Sequence, residues 1–232
     1  MTETTPSAVR RLDNPAAAAL ADLAGMYDDL GTVLRCCERL LAELARGRSG
    51  NRSTVDPATA IPPAAAGERA AGGGVAGPGT GVAGVPGADD LVVEALWTTA
   101  LLSYARCFAP GARGVGLTVA DVEATGLAGD LTGWHEILLR LRDHYADAAV
   151  NPRERFSVGA SQDDAGAPAG LAVTSITQPL VDEVTVRQTG ALAYALSRAV
   201  DERMTAQQER VFTALRSASP ADLARLPLVE VG

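Results

Sequence analysis

The sequence predicts a mainly α-helical protein, an antiparallel four-helix-type bundle with a small β-hairpin inserted before the last long helix. Apolar residues recur at helical spacing in four long segments. Two short β-prone segments lie between the third and fourth of these helices, and a Gly- and Pro-rich stretch follows the first. We expect residues 15–46 to dock on residues 89–217 as one domain.

The first predicted helix, residues 15–46, carries a single apolar stripe. It begins at Pro15, a residue suited to the first helical turn, and ends before Gly47. Apolar residues recur along it with alternating steps of three and four, a heptad-type seam that either docks on the rest of the chain or binds a partner helix. The seam consists of Leu20, Leu23, Tyr27, Leu30, Leu34, Cys37, Leu41 and Leu44.

Three segments are predicted to lie outside the packed structure. Residues 47–88 hold eleven of the 24 glycines, five of the 13 prolines and no aromatic residue, so they bury too little apolar surface to offset their ordering entropy. We expect a disordered linker there. Residues 1–14 are expected to be a disordered N-terminus and residues 218–232 a flexible tail.

The other main helices are expected at about 90–108, 132–149 and 186–217, with a short helix at 119–124 that begins after Thr118. The helix at 90–108 is apolar around nearly its whole circumference, which is typical of a helix in the middle of a bundle. Residues 155–177 predict the hairpin. The helix at 132–149 should bury one face, formed by Trp134, Ile137, Leu138, Leu141, Tyr145 and Ala148.

Composition excludes several classes of function. The net charge of −8 and the absence of a run of 18 apolar residues argue against DNA and membranes as partners, and we expect a cytoplasmic protein. Three cysteines without a Cys/His cluster give no metal site and no disulfide framework, and no cofactor is indicated. For Cys36 and Cys37 we expect one core residue and one flanking residue, because adjacent helical side chains diverge by about 100°.

The densest polar cluster lies near the end of the third main helix. No phosphate-binding loop, dinucleotide fingerprint, HExxH or GxSxG is present. A charged, solvated helix end is the simplest interpretation of the cluster, and a functional pocket is the alternative. The candidate pocket residues are Arg142, Asp143, His144, Tyr145 and Asp147, with Arg106 as a more distant member.

The stretch from Arg142 to Asn151, with the sequence RDHYADAAVN, resembles the RDKHxAHSVN string of bacterial helical proteins of the HEPN type (higher eukaryotes and prokaryotes nucleotide-binding). Residues 95–108 and 116–122 resemble two further segments of these proteins, so the likeness covers roughly residues 91–151. Active members cleave RNA without a metal, using an Arg followed after four to six residues by a His, usually across a homodimer. The resemblance also implies a phage-defence or toxin–antitoxin setting.

This sequence departs from that pattern at the decisive position. The family Arg falls on Arg142, but the family His falls on Ala148, and no Arg-x4–6-His pair occurs anywhere in the chain. A methyl group cannot transfer a proton. The sequence therefore favours a catalytically inactive HEPN-like protein that acts through contacts, as a homodimer or with a second protein.

Two alternatives stay open. One is an atypical metal-independent RNase or nucleotide-binding enzyme that uses Arg142, His144 and Asp147 in an altered arrangement, with RNA or a nucleotide as a weaker partner prediction. It predicts that these side chains converge on a pocket. The other is a structural or assembly adaptor that recruits a partner through the N-terminal helix.

Overall fold

The computed structural model describes residues 9–53, 88–109, 113–149, 151–177 and 181–229. Over these residues the protein is mainly helical, with one two-stranded antiparallel sheet before the last long helix. The elements are α1 (Pro15–Ser53), α2 (Ala88–Arg106), α3 (Val119–Glu123), α4 (Leu131–Ala146), β1 (Glu154–Gln162), β2 (Pro168–Thr177), α5 (Glu183–Arg216) and α6 (Pro220–Arg225).

The structure describes only the two ends of the predicted linker, residues 47–88. Residues 47–53 continue α1, and Ala88 already belongs to α2, so regular structure extends into the predicted linker from both sides. The rest of that prediction, residues 54–87, lies outside the described residues.

The core is built around α1, which packs against both α5 and α2, while α4 packs against α2. α1 and α5 run antiparallel: Gln207 Nε2 donates a hydrogen bond to the carbonyl oxygen of Ala16, and a Cβ at Gly190 would lie 3.5 Å from Cys37 Cβ. The largest fully buried side chains come from α1 to α5. They include Met26, Leu30, Val33, Leu40, Leu101, Tyr104, Val122, Leu138, Leu192 and Leu196.

The buried face of α1 is rotated relative to the predicted seam. Leu23 and Leu30 are buried, as expected, but Tyr27 is 44% exposed and Met26 takes the core position beside it. Leu20, Leu34, Leu41 and Leu44 are half-buried. The reason is that α1 contacts two helices instead of one, so its buried face is wider than a single heptad stripe.

The same geometry corrects the expectation for the two adjacent cysteines. Both Cys36 and Cys37 are buried. Their side chains diverge by about 100°, but α1 has neighbours on two sides, so each direction leads into protein. Burial raises the pKa of Cys37 to about 12, and it also raises the pKa of Cys36.

Both ends of the described chain are structured where the sequence predicted none. The backbone N–H of Arg11 donates to the Pro227 carbonyl (2.8 Å), and that of Val229 donates to the Val9 carbonyl (2.9 Å). α6 precedes this contact, with Ser219 as its N-cap. The expected flexible tail and N-terminus were therefore wrong over residues 9–13 and 218–229, because each segment supplies the hydrogen-bond partners of the other.

The buried face of α4 also differs from its prediction. Leu138 and His135 are buried, whereas Ile137 is 37% exposed. α4 begins after Asp130, whose carboxylate accepts a hydrogen bond from Gly133 N (2.8 Å), and it ends at Ala146, before the expected boundary.

The hairpin forms where the sequence predicted it, and its turn has a local cause. Asp163 Oδ1 accepts hydrogen bonds from the backbone N–H groups of Ala165 (3.0 Å) and Ala167 (2.8 Å). Gly166 has a φ of +82°, a conformation that costs glycine nothing. β1 and β2 then pair in one register, with Val158 opposite Val173.

Candidate functional site

The pocket residues predicted on α4 are neighbours along one helix end. Arg142 Nε lies 2.7 Å from Asp143 Oδ1, and the rings of His144 and Tyr145 meet edge to face with centroids 6.0 Å apart. Asp143 and His144 are exposed, and the side chain of Arg142 is one-third exposed. These contacts join residues adjacent in sequence, which is typical of a solvated helix end.

Arg106 belongs to a different part of the molecule. Its guanidinium lies 3.5 Å from the carboxylate of Asp29 on α1. Tyr145, by contrast, lies beside Glu94, and burial together with the Glu94 charge raises the pKa of its hydroxyl. Glu94 and Arg106 are twelve residues apart on α2, about 18 Å along its axis. The structure therefore does not bring Arg106 and Tyr145 into one pocket.

The positions that follow α4 carry no catalytic geometry of the expected kind. Asp147 ends the helix, and its Oδ1 accepts a hydrogen bond from Ala149 N (2.8 Å). Ala148, the position of the family His, is an exposed turn residue. The Asp147 side chain thus binds the backbone of the turn that follows α4, and the side chain of Ala148 is only a methyl group.

His135 is buried in the core of the protein, and the sequence analysis assigned it no role. It is 3% exposed, its Nδ1 lies 2.8 Å from the Tyr104 hydroxyl, and the Phe108 ring packs on it at 4.4 Å between centroids. Burial lowers its pKa, and the nearby Glu136 carboxylate offsets this in part. Its spacing of three residues before Leu138 was the available signal, because it places His135 on the apolar face of α4.

A buried carboxylate joins α1 to the loop after α2. Asp29 is 8% exposed, and its Oδ2 accepts a 2.6 Å hydrogen bond from Arg113 Nη2. Nearby, Asp22 Oδ2 accepts hydrogen bonds from the backbone N–H groups of Gly114 (2.8 Å) and Val115 (3.3 Å). These contacts fix the loop in place and leave neither carboxylate directed into a cavity.

A groove of about 370 Å³ lies between α1 and α5. Its polar groups already have partners: Arg203 pairs with Asp121, Gln207 Nε2 donates to the Ala16 carbonyl, and Arg210 Nη1 donates to Gln207 Oε1. The hydrogen bonds from Arg203 and Thr118 outweigh partial burial and lower the pKa of Asp121. The groove is therefore part of the packing interface between α1 and α5, and its polar side chains are bound to other groups of the protein.

The largest departure from ordinary packing is the hairpin. Directly opposed residues share a face of a two-stranded sheet, and so do residues two apart along a strand. In the observed register one face carries a run of apolar side chains, which we call the hairpin face: Phe156, Val158, Ala160, Leu171 and Val173. Ser175, Glu154 and Thr177 occupy the other paired positions on this side of the sheet, toward the base of the hairpin.

This hairpin face is open to solvent. Phe156 is 56% exposed, Val158 70%, Val173 65% and Leu171 79%. The opposite face includes Arg155, Ser157 and Thr174 and is mostly polar or small. A two-stranded hairpin is marginal in water unless an apolar face packs on something. Apolar alternation without a covering layer therefore marks a contact surface.

A second uncovered apolar surface runs along α2. The expectation that α2 lies in the middle of a bundle was wrong for one side of the helix, which is exposed in the part of the chain that the structure describes. Between Asp90 and Arg106 the only charged residue is Glu94. The exposed positions, spaced by three and four, form what we call the α2 stripe: Leu91, Val92, Ala95, Thr99 and Leu102.

An ion pair ties the base of the hairpin to the helix that carries the stripe. Arg153, one residue before β1, donates from Nε to both carboxylate oxygens of Glu94 at 2.7 and 2.9 Å. Glu94 is adjacent to Ala95 of the stripe, so the hairpin emerges beside it. The single charge within this stretch of α2 is thereby neutralised.

Other kinds of site find no support in the part of the chain that the structure describes. There, no group of three His, Cys, Asp or Glu side chains is placed to hold a metal ion. Within the same ranges, none of the helices has the length and apolarity needed to cross a membrane.

The fold and its surfaces define a mainly helical protein that presents an uncovered β-hairpin and an uncovered helix stripe. Comparison with protein-family models, with curated proteins and with solved structures finds no match for this chain.

Proposed function

We propose that this protein works through protein–protein contacts made by the hairpin face and the α2 stripe. The observation that carries the proposal is the hairpin face, five apolar side chains on one side of a sheet with solvent over them. Contiguous apolar patches are uncommon on the surfaces of folded proteins, and the largest of them are often interaction sites.

Catalysis is not part of this proposal. The Arg142 guanidinium is paired with the adjacent Asp143, and the position of the family His is an alanine. The HEPN resemblance and its phage-defence or toxin–antitoxin setting belong to the proposal as context, and they rest on residues 91–151. The four-helix arrangement, which rests on helical periodicity, and the cytoplasmic location, which rests on composition, belong to it in the same way.

The adaptor alternative is narrowed by where α1 lies. Its Leu23, Leu30 and Leu40 are buried against α2 and α5 of the same chain. Those side chains are occupied in this arrangement and do not face a partner. We therefore assign the contact surface to the hairpin and α2.

The proposal is tested by placing a photo-crosslinking amino acid at position 158 in the cells that produce the protein. We expect irradiation to join Val158 to protein, because this side chain lies in the middle of the hairpin face. The matched control is position 157, on the same strand and the opposite face. No protein adduct from position 158 would contradict the proposal.

The absence of RNase activity is tested with pure protein, tRNA and mRNA. We expect no cleavage above that of a heat-inactivated sample. Cleavage that an Arg142→Ala variant loses would overturn this part of the proposal and favour the enzyme alternative.

A further inference from the structure

We infer that the hairpin face of one copy packs on the α2 stripe of a second copy, and that the reverse contact forms across a two-fold axis. This inference rests on the proposed function, since it names the partner for that surface. A two-fold dimer uses each pair of complementary surfaces twice, and so it covers both hairpins and both stripes at once.

The areas favour a pairing that uses both surfaces. Each surface offers a few hundred Å², whereas a stable interface buries about 800 Å² on each partner. The hairpin face alone or the α2 stripe alone falls short of that. Because the Arg153–Glu94 ion pair holds the hairpin base beside the stripe, one partner can cover both surfaces at once.

Charge favours a second copy over a strongly basic or acidic partner. The chain has a net charge of −8, so two copies repel each other over most of their surfaces. The five residues of the hairpin face and the five of the α2 stripe are uncharged, and Glu94 beside the stripe is neutralised by Arg153. On the hairpin side the nearest charged position is Glu154, at the base of the strand. Two copies therefore meet less charge repulsion on these surfaces than over the rest of the chain.

Neither the described part of the chain nor residues 54–87 supply a better occupant. In the monomer both surfaces are exposed together, so the hairpin does not fold back onto its own stripe. Residues 54–87 contain no Leu, Met or aromatic residue, and Ile61 is their only isoleucine. Such a segment offers little apolar surface to cover either face.

The first experiment measures the mass of the full-length chain by sedimentation and light scattering across a concentration series. We expect a species of twice the 23.8 kDa chain mass at tens of micromolar. Added salt should favour it, because salt screens the repulsion between acidic copies. A monomer throughout the series would overturn the inference.

Point variants locate the interface. Val158→Asp and Leu102→Asp each place a charge in a surface that the dimer dries, so each should weaken self-association about tenfold or more. Ser157→Asp makes the same charge change on the opposite hairpin face and should leave the dimer intact. Circular dichroism shows whether each variant keeps its helices. Equal effects of all three variants would contradict the assignment.

Cross-linking decides which surfaces meet. A Val158→Cys chain mixed with a Leu102→Cys chain should be joined by a short bismaleimide into a species of twice the chain mass. The native thiols give little background, since Cys36, Cys37 and Cys107 are all buried and burial raises the pKa of each, to about 12 for Cys37 and Cys107. A Ser157→Cys chain replaces Val158→Cys in the control. Joining of Val158→Cys only to itself would overturn the hairpin-to-stripe pairing.

The two proposals fail in different ways. If position 158 crosslinks in cells to a protein other than this chain while the purified chain stays monomeric, the second copy is wrong and the contact surface stands. If position 158 yields no protein adduct in cells and the purified chain is monomeric, both are wrong.

Discussion

The helical body and the hairpin contain the same types of apolar residue, but these residues are mostly buried in the body and exposed in the hairpin. Leu196 on α5 is fully buried, whereas Leu171 on β2 is 79% exposed; Val33 and Val158 differ in the same way. The body has a second layer for each apolar face, because α1 is covered on two sides. Within the described ranges, no second layer covers the apolar face of the hairpin. Apolar patterning thus defines a face, and a neighbouring element decides whether that face becomes core.

The largest effect should separate these two regions directly. Leu196→Ala removes buried methyl groups and leaves a cavity, so it should lower the free energy of unfolding by about 2–5 kcal/mol. Leu171→Ala makes the same chemical change on the exposed hairpin and should cost within about 0.5 kcal/mol at concentrations where the chain is monomeric. Urea unfolding followed by circular dichroism measures both. Equal losses would show that the hairpin is packed in solution.

A smaller effect tests the charged contact inside the body. Asp29→Asn keeps the size of the side chain but removes the charge that pairs with Arg113 and Arg106. We expect a loss of about 1–3 kcal/mol, because the mostly buried Arg113 is left without its carboxylate. Arg140→Ala, which breaks an exposed pair with Glu136, is the control and should cost less than about 1 kcal/mol. A neutral Asp29→Asn variant would contradict the role of this pair.

The smallest expected effect is a pH dependence of the free energy of unfolding, which arises from His135 in the helical body. Burial lowers the pKa of His135 below its ordinary value of 6.5, so the unfolded chain binds a proton that the folded chain does not. The neutral imidazole therefore stabilises the fold above about pH 6.5, and this contribution is lost as pH falls through that value toward the folded pKa. Each unit of lowering corresponds to about 1.4 kcal/mol.

The measurement is the urea midpoint between pH 7.5 and 5.5, in the wild type and in a His135→Gln variant. The wild-type midpoint should fall with pH, and the variant should show a flatter profile over the same range. An NMR titration of the imidazole gives its pKa directly. An unchanged slope in the variant would assign the pH dependence to another group.

Local structure was largely predictable from the sequence. The helix at 119–123, the start of α4 near Asp130 and the hairpin at 154–177 follow from capping residues, turn residues and spacing within a few positions. The candidate site was not predictable in the same way. The cluster at 142–147 stood out as a string of polar residues, but Arg106 does not join it. Tyr145 of the cluster lies beside Glu94, which is about 18 Å from Arg106 along α2.

The surfaces now proposed as functional gave only indirect signals. α2 is apolar all round in sequence, a pattern that equally fits a central helix and a helix with an uncovered side. The exposure of Tyr27 and Ile137 and the burial of Cys36 were also predicted wrongly, because helical periodicity does not show on which sides a helix has neighbours. The direction in which a helix finds neighbours depends on segments far away in the chain.

The sequence by itself determined the type and approximate position of the main helices and of the hairpin, because capping, turn chemistry and periodicity act over a few residues. The sequence also shows that an alanine, Ala148, occupies the position of the family His. The tertiary structure alone decided that α1 is enclosed by α2 and α5, that residues 9–11 pair with 227–229, and that the hairpin face and the α2 stripe stay uncovered. Burial depends on contacts between segments distant in sequence, and no local pattern records which of those contacts form.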